Sequence, residues 1–234
     1  MKKLFICLTW LLASLSVVKA QESPVGAWTA TSGDITSVLL ITPSWFTVTD
    51  YRAADFVSTY GGTWQQAGNG ETTVAISFNT ANPNQVGQDA RVPVTMENGQ
   101  LVTSTAGGGS QRWTRLDDGS GPLAGKWKIT ARENNGKMNT IPDGPRQTFK
   151  ILTGTRFQWV AVNLSTGEFF GTGGGTYTFD NGTYTEKIAF FSRDNTRVGA
   201  ALSFKGKVNG NEWDHSGLSS KGDPIHEVWT KTQE

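Results

Sequence analysis

Beyond residue 21 the chain is a succession of short runs in which apolar and polar residues alternate, broken by Gly, Asn and Asp. In one such run Tyr184, Glu186, Ile188 and Phe190 fall on one side, and Thr185, Lys187, Ala189 and Phe191 on the other, because successive side chains of a strand point to opposite faces. This pattern predicts antiparallel sheet. No segment beyond residue 21 carries the apolar stripe of an amphipathic helix.

The runs come in two series with the same punctuation. Gly26-Ala27-Trp28 returns as Gly125-Lys126-Trp127, Gly61-Gly62-Thr63-Trp64 as Gly174-Gly175-Thr176-Tyr177, and Asn69-Gly70 as Asn181-Gly182. Val86-Gly87 returns as Val198-Gly199, and Arg112-Trp113-Thr114-Arg115 as Glu227-Val228-Trp229-Thr230-Lys231, with Trp113 matching Trp229. Internal repetition in a fixed order marks a duplicated unit. The stretch Asp117–Leu123, rich in Asp, Gly, Ser and Pro, reads as a linker. One unit is placed at 25–117 and the other at 123–234, the latter expected to fold without the former. The competing reading is one continuous sandwich. In the second unit strands are expected to begin near Lys126, Arg146, Thr155, Phe169, Thr183, Thr196, Asn211 and Pro224, with a tight hairpin at Asn181-Gly182. About eight strands per unit suffice to close a barrel without free edges. The expected fold class is therefore all-β: two tandem, small, antiparallel up-and-down eight-stranded β-barrels.

Residues 1–20 differ from the rest. Lys2 and Lys3 precede an apolar stretch from Leu4 to Val18, and Val18-Lys19-Ala20 offers a cleavage site before Gln21. The stretch is short for a membrane anchor, which needs roughly 20 apolar residues, and Thr9, Ser14 and Ser16 interrupt it. A cleaved signal peptide is expected, giving an exported protein, periplasmic or secreted. Cys7 is the single cysteine, so the processed chain has no disulfide. Without Lys2, Lys3 and Lys19 the 21 basic residues fall to 18 against 20 acidic ones, a net of −2. That balance excludes the basic footprint of a nucleic-acid binder, and no second stretch is long enough for an integral membrane span.

A G-x-W on the first strand, with a basic residue on the last strand able to cover the indole, resembles the lipocalin or calycin superfamily. Trp28 would pair with Arg112 or Arg115, and Trp127 with Lys231. The second unit also resembles exported lipocalin-like domains of unknown function from Gram-negative bacteria, through Phe157-Gln158-Trp159, Gly174-Gly175-Thr176-Tyr177, Tyr184-Thr185-Glu186, Val198-Gly199 and Glu227-Val228-Trp229. The resemblance implies a barrel able to hold a small molecule. It supplies architecture more than activity.

The residues of the second unit suggest where. Glu186 stands among apolar residues on the expected interior face, whereas the matching residues of the first unit are Thr72, Val74, Ile76 and Phe78. An interior carboxylate can bind a ligand hydroxyl or act as a general base, or be a buried structural acid. Phe157, Trp159, Tyr177, Tyr184 and Trp213 can line an aromatic pocket around it, with His215 near the mouth; plain core packing is the alternative. His215 and His226 lie beside Asp214 and Glu227, but no metal-ligand spacing is present and adjacent strand residues point apart. Gly171–Gly175 resembles a phosphate loop only superficially, because a strand and not a helix follows. No metal and no cofactor is expected.

Three functions follow. The favoured one is a binding module whose second barrel holds a small, partly apolar ligand. The second is a cofactor-free isomerase or lyase using Glu186 or His215 as acid or base, for which no clear catalytic partner is evident. The third is a structural or interaction protein with solid barrels.

Overall fold

The structure, a computed structural model, describes residues 22–67, 71–104 and 108–232. The Leu4–Val18 stretch and cleavage pattern expected of a signal peptide, and the Asn69-Gly70 pair, lie outside the described residues. Two antiparallel barrels follow one another. The first is built from β1 (Gly26–Ser32), β2 (Ile35–Ile41), β3 (Trp45–Arg52), β4 (Asp55–Gln66), β5 (Thr72–Asn79), β6 (Asp89–Val92), β7 (Val94–Glu97), β8 (Gln100–Ser104) and β9 (Ser110–Asp117). The second comprises β10 (Gly125–Asn134), β11 (Lys137–Thr140), β12 (Arg146–Leu152), β13 (Arg156–Asn163), β14 (Phe169–Asp180), β15 (Thr183–Phe191), β16 (Ala201–Asn209), β17 (Glu212–Leu218) and β18 (Pro224–Lys231). No helix among the described residues is long and apolar enough to cross a membrane.

Neighbouring strands pair in chain order, and the last returns to the first: β9 to β1 and β18 to β10. The second barrel closes with eight staves, and β11 adds a short hairpin to the overhang of β10. In the first barrel β6 pairs with β5 and β7 with β8, with Pro93 between them. β16 makes both pairings as one strand. Proline has no N–H to give a ladder, so the first barrel's sixth stave is split in two. The sequence places a strand start at Thr196. That residue instead lies in a 3-10 turn, Asn195–Arg197, where Asp194 accepts from the Thr196 backbone N–H, and β16 starts at Ala201.

The repeated motifs have repeated physical causes. The glycine of each G-x-W has a strongly positive φ, 128° at Gly26 and 124° at Gly125, which side-chain-bearing residues rarely adopt. Each indole then donates to the carbonyl four residues earlier, Trp28 to Pro24 and Trp127 to Leu123, both at 2.8 Å. Arg115 lies 4.0 Å over the Trp28 ring and Lys231 5.8 Å from that of Trp127; Arg112 pairs with Glu97 instead. The Gly-Gly pairs sit at register shifts opposite β5 and β15. A Cβ on Gly62 would stand 1.8 Å from the Ala75 carbonyl oxygen, and one on Gly175 2.0 Å from that of Lys187. The glycine-rich run is thus a bulged barrel strand.

Those bulges correct the strict alternation expected on β15. Beyond Ile188 the extra residue Ala189 reverses the facing: Phe191 packs on the interior Trp159 at 5.6 Å, while Phe190 turns outward to Tyr51 of the first barrel at 5.5 Å. A bulge places two residues opposite one and shifts the alternation.

The barrels are joined by more than the linker. Ala27, Leu40 and Phe78 on the outside of the first barrel form one buried cluster with Phe149, Ile151, Val160 and Val162 on the outside of the second. Trp45 packs on Phe149 at 5.3 Å, with the Lys126 ammonium 3.4 Å over the Trp45 ring. Within the contact Gln158 donates to Thr59 Oγ1 at 3.1 Å and to Thr172 Oγ1 at 3.0 Å. Asp117 ties the join: its Oδ1 accepts from Ala27 N and Gly119 N, and its Oδ2 from Thr153 Oγ1, Thr155 N and Thr155 Oγ1. Burial raises the Asp117 pKa, but these bonds outweigh it and leave the carboxyl below its usual range.

Phe149 faces away from its own barrel yet is fully buried. Phe149→Ala is expected to cost roughly 3–5 kcal/mol in urea unfolding, as for a core phenylalanine. A loss below about 1 kcal/mol, typical of a surface position, would show that the barrels do not pack this way in solution.

Candidate functional site

The interior of the second barrel has two halves. At the end closed by the segment before β10, Trp127, Tyr177, Tyr184 and Trp213 pack together, with Trp127 on Trp213 at 5.8 Å and Tyr184 on Trp213 at 4.8 Å. Toward the other end lies a cavity of 800 Å³, lined by Phe157, Trp159, Phe191, Leu202, Phe204 and Ile225 and by a set of charged groups. Alternation delivers ionisable groups inward from four strands: Lys150 from β12, Glu186 from β15, His215 from β17 and Glu227 from β18.

Lys150 and Glu186 form a buried ion pair at 2.7 Å, both about 6–7% exposed. The Tyr184 hydroxyl donates to the same carboxylate oxygen at 2.9 Å. The ammonium also stands 5.0 Å from the Tyr184 ring and 5.1 Å from those of Trp213 and Trp229, an aromatic cage that favours a cation. Burial and the Glu186 charge raise the Tyr184 pKa far above the phenol range, so the hydroxyl keeps its proton.

Glu227 is the second buried carboxylate. It accepts from Arg132 at 2.5 Å and from Trp229 Nε1 at 3.1 Å. Burial pushes its pKa up, and the nearby Arg132 and Lys150 charges pull it down, leaving the carboxyl below its usual range. His215 Nδ1 stands 3.7 Å from Glu227 Oε2, beyond hydrogen-bond length. Neither ring nitrogen of His215 has a hydrogen-bond partner among the described residues. Burial, and then the Lys150 charge, lower the His215 pKa, so the ring is neutral at pH 7. An unpartnered buried polar group costs about 1–3 kcal/mol.

Of the residues singled out in the sequence, Phe157, Trp159, Glu186 and His215 line the cavity. His215 is not near its mouth; it is 1% exposed, stacked 4.2 Å from Phe204. Tyr184 and Trp213 lie beneath the cavity and hold Lys150. Tyr177 is deeper still, donating to the Thr153 carbonyl at 2.6 Å. Lys150, Glu227 and Arg132 were not singled out for the pocket. Lys150 was findable: it takes the inward place that Leu39 holds in the first unit, as Glu186 takes that of Val74. Each pair follows from the common register, in which Leu39 faces Val48 and Lys150 faces Trp159, while Val74 faces Trp64 and Glu186 faces Tyr177. His226 points outward and bonds to Glu133 at 2.9 Å and Asp214 at 3.0 Å. No group among the described residues is arranged to hold a metal ion.

The first barrel encloses a smaller cavity, 380 Å³, lined largely by apolar side chains. Since both barrels contain open space, the solid-barrel alternative does not describe them. Comparison with known protein families and with curated proteins finds no match to the chain.

Two outcomes test this electrostatic arrangement. Glu186→Gln removes the carboxylate paired with the buried Lys150 and is expected to cost about 3–5 kcal/mol. Replacing the trio together (Lys150→Leu, Tyr184→Phe, Glu186→Val) removes every group that needs a partner and should be less destabilising than Glu186→Gln alone in urea unfolding. For Glu227, a folded pKa held below 4.5 by the Arg132 and Lys150 charges means stability that is fully present above pH 4.5 and lost as pH falls through the depressed folded value. Glu227→Gln should be less stable than the parent at pH 7, and its deficit should close as the pH is lowered below 4.5.

Proposed function

We propose that this is an exported, lipocalin-like binding protein whose second barrel holds a small, partly apolar molecule. Export rests on the Leu4–Val18 stretch and its cleavage pattern. Kinship with calycins rests on the G-x-W geometry, above all Arg115 over Trp28 and the indole bond to Pro24. The binding role rests on one observation: a neutral, buried histidine whose two ring nitrogens have no partner among the described residues, in the wall of a cavity that mixes aromatic and charged side chains. Ligand pockets commonly have 300–1,000 Å³, and a ligand hydrogen bond would relieve the cost of leaving His215 unpaired. The ion pair serves as a fixed dipole beside it. Around the cavity Arg132, Arg146, Lys150, Arg193, Arg197 and Lys221 outnumber Glu186, Asp194, Asp223 and Glu227, which favours a ligand with an electron-rich or acidic end.

A second reading is favoured by the approach of Glu227 to a neutral His215, the makings of an acid–base pair for a cofactor-free isomerase or lyase. The two readings separate in one experiment. Native mass spectrometry of the protein purified from its exported fraction is expected to show a bound small molecule, recovered chemically unchanged on release. His215→Phe keeps the size of the ring and removes both nitrogens. It should melt no lower than the parent and lose the bound molecule. Retention of that molecule by His215→Phe would overturn the binding site. Release of a rearranged product, with turnover falling about 10²–10⁴-fold in the variant, would favour the enzyme.

A further inference from the structure

The first barrel differs from the second where the second is most tightly filled. Register pairs Thr72 with Val92 as Tyr184 pairs with Phe204, and Leu101 with Trp113 as Trp213 pairs with Trp229. Thr72 and Leu101 therefore occupy the places of Tyr184 and Trp213. The ladders fix the staves, so the smaller side chains do not draw the wall inward, and space opens in the closed half. The 380 Å³ cavity reaches this depth: Trp64, Thr72 and Leu101 line it, with Leu39, Val74 and Trp113 above. Its charged lining residues, Asp89 and Arg91, are on β6 and exposed. Buried charge is absent from its described walls, because Leu39 and Val74 replace Lys150 and Glu186. Its lining also includes the polar Tyr60, Asn79, Gln85, Gln88, Thr103 and Ser104, and among its buried groups Thr72 Oγ1, in a residue 3% exposed, has no hydrogen-bond partner among the described residues.

From this we infer that the first barrel is a second binding site, chemically separate from the first-described one, for a small neutral molecule with an apolar body and one hydrogen-bonding group. An apolar cavity without a guest forfeits dispersion contacts along its whole lining, and such cavities take up apolar molecules in preference to water. The volume lies within the range of ligand pockets. The Thr72 hydroxyl, able to donate or accept, supplies the polar end.

The test uses the full chain and N-phenyl-1-naphthylamine, a neutral probe that fluoresces in apolar surroundings. Saturable binding is expected, with methyl NMR shifts at Val48, Val74 and Ile76. Leu101→Trp, which restores the side chain the second barrel has at this place, should weaken binding at least tenfold, and Val74→Phe should do the same if Leu101→Trp does not fold. Ala161→Trp, which narrows the second cavity, should leave probe affinity unchanged and so separates this site from the proposed function. Displacement of the probe by 1-decanol should be about two- to tenfold weaker in Thr72→Val, the worth of one hydrogen bond. Absence of probe binding, or methyl shifts confined to the second barrel, overturns the site. Equal displacement by decanol in Thr72→Val overturns the hydroxyl's part in it.

Discussion

The bulge opposite each Gly-Gly pair is the constraint on which the rest of the molecule depends. At Gly62 and Gly175 a backbone oxygen comes so close that no side chain fits, and the extra residue on the facing strand reverses its alternation. Phe78 and Phe190 therefore leave their barrels. Phe78 joins the buried cluster between the barrels, and Phe190 reaches Tyr51 across the same contact. Phe191 turns in at the same point and becomes part of the cavity wall. One local geometry, written twice in the sequence, thus fixes both what binds the two units together and what lines their interiors.

Packing of the two barrels on their outer faces has a consequence for the interiors. Strands β2, β12 and β13 are apolar on both sides over part of their length, so burial between the barrels adds to burial within them. Each buried square ångström of apolar surface is worth roughly 25 cal/mol, and a chain with a single cysteine has no internal disulfide to supplement it. A fold held from outside in this way tolerates imperfect interiors: a buried ion pair and an unpartnered histidine in one barrel, an apolar void in the other. Ion pairs of this kind are seldom a source of stability, since desolvation offsets their attraction. Their retention in one repeat and replacement by Leu39 and Val74 in the other is consistent with a specific task in the second barrel.

Duplication has therefore kept the scaffold and divided the chemistry. The G-x-W anchor, the Gly-Gly bulge and the return of the last strand to the first are common to both units. The inward residues are not. Those of the second barrel present charge and an unpartnered buried imidazole among aromatic residues, and those of the first a largely apolar chamber with the unpartnered Thr72 hydroxyl.

Much of this was legible in the chain. Alternation predicted the strands, the recurring motifs predicted two units, and Asn181-Gly182 predicted a hairpin whose two residues do have positive φ, 48° and 74°. Glu186 was placed correctly on an inner face by period alone. Alternation is a local property, however, and says nothing of what lies across a barrel. It could not show that Lys150, distant in sequence, meets Glu186, nor that Tyr184 and Trp213 serve that lysine and not the cavity. It also failed at Phe190, because a bulge is a relation between two strands and only the paired partner reveals it. The sequence by itself determined which residues form strands and which turns, through side-chain period and backbone freedom. Only the tertiary structure decided which apolar faces became core, interface or cavity, because that depends on which surfaces meet once the sheets have closed.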